Sequence, residues 1–412
     1  MRNFSRELEA LLVPESLQML RHIGQAASQR EEKVYLVGGV VRDILLEREN
    51  LDLDLVVEGK AISLARQIAR ENNWNIKTHP RFSTANIYAQ NLSLDLVTAR
   101  SEIYIHPGAL PVVKSGTIQE DLARRDFTIN ALAISITPDS FGELLDPHNG
   151  QNDLDRKLVR ILHPESFKDD PTRILRAVRY EQRLDFHLEQ ATEELLQQNL
   201  DGLNTVTGER LWHELGLILN EEYPEKAFVR ADNLGMFRKL YPPMKGDSWL
   251  SDKFAQARDS NQEPSALTAV YLVIMVYRFD SEEAEGCINR FKMPGWATRL
   301  VRDTMKIRNS LALLEVPEFR HSQIYYQLKH HMPEVIKGMA VVSDSSIVRQ
   351  RLELYLQKLR HIKPELSGND LQSMGVAPGK KMGRILRALQ EARIDKTISN
   401  REEEKVLVKS LL

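Results

Sequence analysis

The segment that most constrains the fold lies near the N-terminus, where two strand patterns flank a glycine pair and a helix pattern. Residues 34–37 (VYLV) form an apolar run of strand length. Gly38 and Gly39 interrupt this run, and residues 40–47 then show helical spacing of apolar side chains. Residues 51–57 (LDLDLVV) alternate apolar and acidic side chains before they become wholly apolar. This order predicts a strand–turn–helix–strand unit.

Asp52 and Asp54 occupy alternate positions of the second predicted strand. Successive side chains of a strand point to opposite faces, so the two carboxylates leave one face about 7 Å apart. Leu53 and Leu55 then enter the core. Carboxylates this close repel each other, and a bound Mg²⁺ would explain the pair because that ion prefers oxygen ligands. A solvated strand face is the alternative interpretation of the pair taken alone.

The glycine pair is a candidate phosphate-binding turn. Gly38 and Gly39 allow the backbone to approach an anion closely, and we expect their amides to act as donors. Arg42, in the helix pattern that follows, can reach the same anion. These residues are therefore candidate nucleotide ligands.

Together, LVGGVVRD and DLDLV resemble the sequence motif of the polymerase β nucleotidyltransferase superfamily. More narrowly, they resemble the class II tRNA nucleotidyltransferases and the bacterial poly(A) polymerases. The resemblance implies two-metal nucleotidyl transfer with Mg²⁺. It also implies a third carboxylate on a later strand, and SLDLVTAR matches that pattern at Asp95. A carboxylate on an apolar strand costs free energy unless it is exposed or paired with a cation, so an edge-strand Asp facing water is the alternative.

Two segments follow this strand. Residues 101–115 contain two prolines and a glycine and are predicted to form a loop beside the site. In the resembled family the corresponding loop is implicated in the change from adding C to adding A. Residues 120–136 show helical spacing that is strongest in their first part, and RRDFTINALA resembles a second family motif. That motif implies that Arg125 and Asp126 contact the incoming nucleotide, Arg125 at phosphate or base and Asp126 at a ribose hydroxyl. A salt-bridged helix start is the alternative.

A third pattern covers residues 163–186. Pro171 suits the first turn of a helix, with Asp169 or Asp170 as its N-cap. The segment DDPTRILRAVRY resembles the family's neck motif, in which an acidic residue and an arginine act as a protein template. The resemblance implies that Asp170 and Arg173 read the base and that Arg176 and Arg179 support phosphate or base. This chain has Asp169 where the family usually has Glu.

The chemistry of such a pair suits C and A. A carboxylate accepts from the exocyclic amine of cytosine or adenine, and a guanidinium donates to the adjacent ring nitrogen. Uracil and guanine present a carbonyl and an N–H at these positions and would mismatch both groups. The alternative is an N-capped helix with surface arginines.

Composition limits the class of protein. At 412 residues, with 42% hydrophobic and 28% charged residues, the chain has room for two to four domains and a substantial core. No apolar run reaches 18 residues, and the first 20 residues lack a continuous apolar block, so we expect neither a membrane span nor a secretory signal. A single cysteine, Cys287, excludes an intramolecular disulfide and a Cys-based zinc site. A cytoplasmic location is the simplest expectation, and the sequence predicts no oligomeric state.

Charge is distributed unevenly. The net charge is −2, but residues 337–412 carry 15 Lys and Arg against 9 Asp and Glu, so the remainder is at −8. Such a basic tail is a candidate polyanion-binding region. Lys380, Lys381 and Arg384 cluster at the predicted start of a helix, where exposed amides also favour anions. They are candidate RNA-phosphate ligands, with a plain helix junction as the alternative.

These observations predict an α+β fold. A nucleotidyltransferase head with a small mixed sheet spans residues 1–150, and an all-helical remainder comprises a neck (151–225), a body (226–336) and a basic tail (337–412). The resemblance, which covers roughly residues 34–215, implies template-independent transfer of C, A or both from CTP and ATP to the 3′ end of tRNA. Asp52, Asp54 and Asp95 would be its catalytic, metal-binding carboxylates. Alternatives are an enzyme that adds only CC or only A, a poly(A) polymerase, and an inactive RNA-binding relative.

Overall fold

The computed structural model describes residues 2–48, 53–89, 92–103, 112–260 and 264–412. The chain divides into two compact units, Met1–Val206 and Thr207–Leu412. The first unit contains a mixed sheet with helices, and the second is helical throughout its described residues. The predicted α+β class is therefore confirmed. The boundary between the units lies inside the segment predicted as a neck, and the four-part division remains a prediction.

The first unit contains short strands separated by short helices. Its helices are α1 (Ser5–Leu11), α2 (Pro14–Ser28), α3 (Gly39–Leu45), α4 (Ala61–Glu71), α5 (Ile118–Ala123), α6 (Gly150–Asp155), α7 (Ser166–Asp169), α8 (Thr172–Leu184) and α9 (Gln190–Gln198). Its strands are β1 (Lys33–Val37), β2 (Leu53–Glu58), β3 (Asn75–His79), β4 (Thr84–Ala89), β5 (Leu92–Thr98), β6 (Arg100–Ile103), β7 (Val112–Ser115), β8 (Ala133–Ser135), β9 (Leu144–Leu145), β10 (Leu158–Val159) and β11 (His187–Leu188).

Among the described residues, seven strands form one sheet in the order β3-β4-β5-β2-β1-β8-β9. Strands β2 and β5 run parallel, whereas the other neighbouring pairs are antiparallel. Helices α2 and α4 pack on this sheet through apolar side chains that are fully buried. Helix α5 packs against it through a separate core that contains Tyr35, Val56, Ile118 and Leu122. Helices α2 and α4 therefore bury one part of the sheet, and α5 buries another.

In β2, the acidic residue Asp54 lies on the same face as Val56, which packs against α5. Leu53 and Leu55 are buried, at 2% and 0% exposure, as predicted. Asp54 is two positions from Val56 and therefore shares its face, but it is exposed. Asp52 lies outside the described residues. The prediction that an acid leaves the face opposite the leucines thus holds for Asp54.

The structure corrects three details of the first unit. The predicted loop 101–115 carries an antiparallel hairpin at its ends, β6 with β7, while residues 104–111 lie outside the described part. The helix predicted from residue 120 ends at Ala123, and Thr128–Asn130 form a 3₁₀ turn before β8. A short parallel pair, β10 with β11, also lies where only helices were expected.

The early end of α5 has a physical cause. The side chain of Asp126 accepts from the backbone amide of Phe127 and from the side-chain amide of Asn130, and such local bonds compete with a continuing helix. Residues 133–135 then pair with β1, so sheet formation overrides the helical spacing of the sequence. The helical spacing was therefore a wrong guide beyond Ala123.

The second unit contains these helices: α10 (Gly208–Leu219), α11 (Pro224–Asn233), α12 (Met236–Leu240), α13 (Ser248–Asp259), α14 (Pro264–Val276), α15 (Ser281–Arg290), α16 (Gly295–Arg308), α17 (His321–Leu328), α18 (Pro333–Val342), α19 (Ser346–Gln357), α20 (Gly368–Ser373), α21 (Lys380–Ile394) and α22 (Arg401–Leu411). Near its end a small apolar cluster joins α20, α21 and α22 through Leu371, Ile385, Leu389 and Val408. Across the described residues, no helix has the length and apolar character needed to span a bilayer.

Candidate active site

Two carboxylates lie side by side where β2 and β5 pair. Asp54 and Asp95 are register partners in this parallel pair, and neighbouring strands are about 4.8 Å apart. Asn86 of β4 is the register partner of Asp95 on the other side, and its side-chain amide donates to Asp95 Oδ1. The three side chains form a polar row across three strands. The structure thus brings Asp95 next to Asp54, as the site prediction required.

The row suits a divalent cation. Asp54 is exposed and Asp95 is half-buried, and both offer carboxylate oxygens, the ligands that Mg²⁺ prefers. The described part of the chain contains no group of three or more His, Cys, Asp or Glu side chains placed to hold a metal. Asp52, the remaining predicted ligand, lies outside that part. The donor set present, two adjacent carboxylates, is compatible with the predicted ion.

The glycine turn after β1 has its predicted tight conformation. Gly38 has φ of +71°, a region that disfavours other residues, and a Cβ there would lie 2.6 Å from Arg125 Nη1. The turn therefore packs directly against the guanidinium of Arg125. The Gly38 amide, expected to be a phosphate donor, instead donates to the carbonyl of Leu132 at 3.1 Å, because β1 and the segment before β8 lie side by side. Gly39 begins α3.

Arg125 is held in place by a buried acid. Its Nε and Nη2 donate to Asp121 Oδ2 at 3.3 and 3.0 Å, and Asp121 is fully buried. Asp121 also accepts from Arg124 through its other oxygen. Burial alone would raise the pKa of Asp121, but the two guanidiniums outweigh it and hold that pKa below its usual value. Asp121 therefore stays charged and positions Arg125 beside the glycine turn.

A buried polar network connects Arg42 to the second predicted motif. Arg42 is 3% exposed, and its Nη1 donates to Asn130 Oδ1 at 2.7 Å. The amide of Asn130 donates in turn to Asp126 Oδ1 at 3.1 Å. Arg42 also pairs with Asp43 at 2.8 Å. Arg42, predicted to reach an anion, is thus fixed by neutral and acidic protein groups.

Asp126 completes this network with an ion pair to α8. Arg176 donates to its Oδ2 through Nε at 2.9 Å and Nη2 at 2.6 Å. Burial would raise the pKa of Asp126, but Arg176 and the hydrogen bond from Asn130 hold it below its usual value. Asp126 was predicted to accept from a ribose hydroxyl. In this structure each of its oxygens already accepts from protein donors.

Three arginine side chains contact the ring of Tyr180. The guanidinium carbons of Arg42, Arg176 and Arg179 lie 5.4, 5.6 and 4.8 Å from its ring centroid. Cations in this position are attracted by the ring's electron-rich face. Phe127 packs edge-on against the same ring at 5.8 Å. The ring therefore gathers cations from α3 and α8 that would otherwise repel one another.

The start of α8 has the geometry of a capped helix. Asp170 Oδ1 accepts from the backbone amide of Thr172 at 3.0 Å and from its hydroxyl at 2.7 Å. Arg173 is 5% exposed, with Nη1 on Ser166 Oγ and Nη2 on the Arg124 carbonyl, both at 2.8 Å. The Asp170 carboxylate thus accepts from the first residue of α8, an interaction of the kind that the capping interpretation expects. The base-reading roles remain predictions.

The predicted tail residues lie on the surface. Lys380, Lys381 and Arg384 are exposed in the first turns of α21, and Lys381 Nζ donates to the Leu412 carbonyl at 2.8 Å. They belong to the second unit, whereas the other predicted site residues that the structure describes belong to the first.

Several residues of the site were missed by the sequence reasoning, namely Asn86, Asp121, Asn130 and Tyr180. Asn130 lies inside the RRDFTINALA motif, and Tyr180 follows Arg176 by one helical turn, so both had a local sequence signal. The position of Asn86 depends on the register between β4 and β5, which the sequence does not indicate.

Models of known protein families match most of the chain. Family models match three successive segments: the "Poly A polymerase head domain" over residues 34–160, the "Probable RNA and SrmB-binding site of polymerase A" over 185–246, and domain 2 of tRNA nucleotidyltransferase over 262–409. The matches cover the segments that contain the Gly38 turn, Asp54, Asp95 and Arg125.

Relatives share most of this chain. The A-adding tRNA nucleotidyltransferase of Halalkalibacterium halodurans is 33% identical over 95% of this chain and 92% of its own length. The CC-adding enzyme of Deinococcus radiodurans is 31% identical over 98% and 96%. The A-adding enzyme of Geobacter sulfurreducens is 34% identical over 94% of this chain, which spans 46% of that longer relative.

A solved structure shares the fold over the whole chain. The Thermotoga maritima CCA-adding enzyme in complex with tRNA has a TM-score of 0.76 and 31% identity, and the match covers 100% of this chain and 99% of that one. The resemblance inferred from the motifs is therefore confirmed. The chain belongs to the tRNA nucleotidyltransferase family, a family of enzymes whose members include A-adding, CC-adding and CCA-adding forms.

Proposed function

We propose that this chain adds C, A or both from CTP and ATP to the 3′ end of tRNA without a nucleic-acid template. The observation that carries the proposal is the Asp54–Asp95 pair on adjacent parallel strands of the sheet, whose strand β1 ends at the Gly38 turn that packs on Arg125. An inactive RNA-binding relative would not need to keep this pair. A cytoplasmic location fits the proposal.

The reaction joins the 3′-hydroxyl oxygen of tRNA to the α-phosphorus of the nucleotide, and pyrophosphate leaves from the opposite side. Asp52, Asp54 and Asp95 would hold Mg²⁺. In the two-metal reaction that the resemblance implies, one such ion would lower the pKa of the attacking hydroxyl and a second would neutralise triphosphate charge. The protein's own contribution at the row is to fix both carboxylates on rigid strands, with the Asn86 amide orienting Asp95.

The arginines place fixed guanidiniums close to the glycine turn, where the triphosphate would bind. Arg125 is fixed by Asp121, and Arg42 is fixed by Asn130, so neither has to reorganise when an anion arrives. Charges that are already fixed in position stabilise developing negative charge without the reorganisation that mobile charges need. The lack of a side chain at Gly38 leaves room for the Arg125 guanidinium beside the turn.

Base selection is assigned to the start of α8 and to Asp170, two residues before it. Asp170 would accept from the exocyclic amine of C or A, and Arg173 would donate to the ring nitrogen. Asp126 would accept from the ribose, and Arg176 and Arg179 would support phosphate or base. Because Arg176 already binds Asp126, a nucleotide would join this ion pair or exchange one of its bonds.

Binding of tRNA is assigned in part to the tail. Lys380, Lys381 and Arg384 are exposed on the first turns of α21, where cationic side chains can reach RNA phosphates. These interactions would position the RNA without reading its sequence.

Addition of A alone is the narrower candidate. The A-adding relatives are 33% and 34% identical to this chain, slightly more than the CC-adding relative at 31%. Addition of the whole CCA end, of CC alone, and of poly(A) are the other candidates.

The test supplies tRNA ending at the discriminator base, at C or at CC, each with one labelled nucleotide at a time. An A-adding enzyme extends only the CC-ended tRNA, and only with ATP. A CCA-adding enzyme extends all three substrates in order. Incorporation of UTP or GTP at rates equal to CTP and ATP, or no incorporation with any substrate, would refute the proposal.

A further inference from the structure

A cavity of about 570 Å³ lies in the second unit among α14, α16, α18 and the end of α10. Cavities of this size are typical of sites that bind small molecules. The apolar part of its lining includes Ala269, Leu300 and Met332. None of its described lining residues belongs to the predicted catalytic, nucleotide-binding or tail residues. The cavity, here named the Trp296 pocket, therefore has no role in the function proposed above.

One wall of the Trp296 pocket is an exposed indole. Trp296, near the start of α16, is 43% exposed. Its ring packs edge-on against the ring of Trp212 in α10, with the ring centroids 5.9 Å apart. This contact holds the indole in place while leaving much of it accessible. Among aromatic side chains, an indole face attracts an organic cation most strongly.

The pocket also contains a carboxylate without a cation. Glu334 is half-buried in the first turn of α18. Within the part of the chain that the structure describes, its side chain forms neither an ion pair nor a hydrogen bond, and the described pocket lining contains no Lys, Arg or His. Polar groups that leave water normally find a hydrogen-bonding partner. The pocket therefore disfavours anions and has an open position for a cation.

The neutral polar groups of the lining also favour a hydrogen-bond donor as the ligand. Thr268 Oγ1 donates to Asn220 Oδ1 at 2.7 Å, and Asn220 Nδ2 donates to the Gly216 carbonyl at 2.7 Å. Because the proton of the Thr268 hydroxyl is already used, its oxygen can only accept from a ligand. Thr268 and Glu334 thus both present acceptors to the pocket.

We infer that the Trp296 pocket binds a small organic cation, an ammonium or guanidinium group on a short apolar stem. The cationic group would donate to Glu334 and Thr268 and lie against the indole of Trp296, and the stem would pack on the apolar lining. The single acid in the described lining suits one cation better than a run of basic residues. The inference goes beyond the proposed function and does not depend on it.

The experiment titrates butylguanidine into the full chain and follows the indole N–H signals by NMR. The chain has four tryptophans, and Trp296→Leu assigns the signal of Trp296. Butylurea, which has a similar shape and no charge, is the matched control ligand. Glu334→Gln removes the charge of the pocket, and Glu318→Gln removes an exposed charge of the same unit outside it. Saturation-transfer NMR on the ligand measures the dissociation constant in each variant, and melting curves report folding.

The inference predicts that butylguanidine shifts the Trp296 signal with a dissociation constant on the order of 1 mM, as expected for a ligand of so few atoms. Glu334→Gln should weaken binding roughly tenfold through loss of a charged hydrogen bond, and Trp296→Leu roughly two- to fivefold. Glu318→Gln should match the parent. Equal binding of butylurea, unchanged affinity in Glu334→Gln, or no shift of Trp296 would overturn the inference.

An arginine side chain of a protein partner carries the same guanidinium. The peptide acetyl-Gly-Arg-Gly-amide, titrated in the same way, separates this source from a free small molecule. The inference predicts that the peptide binds no more tightly than butylguanidine, because only its side chain would enter the pocket. Peptide binding that is at least roughly tenfold tighter, and is lost in Glu334→Gln, would assign the pocket to a protein partner and contradict the assignment to a small molecule.

Discussion

Arg176 in α8 donates two hydrogen bonds to one carboxylate oxygen of Asp126, 50 residues earlier in the chain, at 2.9 and 2.6 Å. This ion pair links the turn after α5 to α8, the helix that is proposed to select the base. Asp126 is 7% exposed, so removal of one partner would leave a buried charge without its counter-charge and would strongly destabilise the fold. A substitution that keeps the shape of Asp126 and removes its charge tests how much of the first unit depends on the pair.

Replacing Asp126 by Asn should lower the free energy of unfolding by about 3–5 kcal/mol at pH 7, because Arg176 would then face a neutral amide. The pKa of Asp126 is held below its usual value. The stabilisation is therefore fully present above the ordinary carboxyl pKa of about 4 and is lost as the pH falls through the lower folded value. Urea unfolding of parent and variant at pH 7 and pH 3 should show a narrower gap at pH 3. A gap of equal size at both values would mean that charge is not its source.

Tyr180 should act on nucleotide binding through the arginines it gathers. Tyr180→Leu removes the ring that lies under Arg42, Arg176 and Arg179, whereas Tyr180→Phe keeps it. A loss of about 1.5–3 kcal/mol, from three cation–π interactions of about 0.5–1 kcal/mol each, should raise the KM for nucleotide roughly 13- to 160-fold in the Leu variant. Steady-state kinetics should find the Phe variant close to the parent. Equal losses in both variants would assign the effect to the hydroxyl instead of the ring.

Because Asp170 accepts from Thr172 at the start of α8, the test of base selection must measure helix stability as well as nucleotide preference. If Asp170 reads the base, Asp170→Ala should reduce discrimination against UTP by about 1–3 kcal/mol, together with the rates for C and A. If it only caps α8, the variant should lose about 0.5–2 kcal/mol of stability and keep its nucleotide preference. Competition of UTP against CTP and ATP, beside a melting curve, separates the two.

Thr172→Val is the matched control for that variant. It removes the hydroxyl that donates to Asp170 Oδ1 but keeps the backbone amide bond. It should therefore shift stability slightly and leave base selection unchanged. A loss of discrimination in Thr172→Val as large as that in Asp170→Ala would show that packing at the helix start, and not the carboxylate, sets the preference.

The tail residues should act on RNA affinity alone. Replacing Lys380, Lys381 and Arg384 by Ala should lower the log–log salt slope of tRNA binding by about 0.7–0.9 for each phosphate that the tail no longer binds. Filter binding over a salt series measures this directly. A slope equal to that of the parent would place the RNA-binding residues elsewhere.

The sequence predicted those parts of the fold that depend on residues close together in the chain. The glycine turn, the strands around it and the exposed acid between buried Leu53 and Leu55 follow from side-chain periodicity within a few residues. The hairpin in residues 101–115 and the early end of α5 did not follow, because pairing partners distant in sequence override local spacing.

The site shows the same limit. The motifs identified Asp54 and Asp95 as candidate metal ligands. That the two side chains lie next to each other depends on the register of two parallel strands, which the motifs do not specify. Asp121 and Tyr180 act by holding arginines, and a residue whose role is to position another leaves little trace in a single sequence.

The central claim is that the carboxylate row of β2 and β5 performs nucleotide transfer to tRNA. The most direct measurement is the incorporation of labelled ATP and CTP into tRNA lacking part of its 3′ end, with Mg²⁺, by the parent, Asp54→Asn, Asp95→Asn and the exposed control Asp139→Asn. The account predicts product with the parent and the control, loss of product on chelation, and a fall of at least roughly a hundredfold in both row variants, with tRNA binding retained. Near-normal incorporation by Asp54→Asn or Asp95→Asn would contradict it.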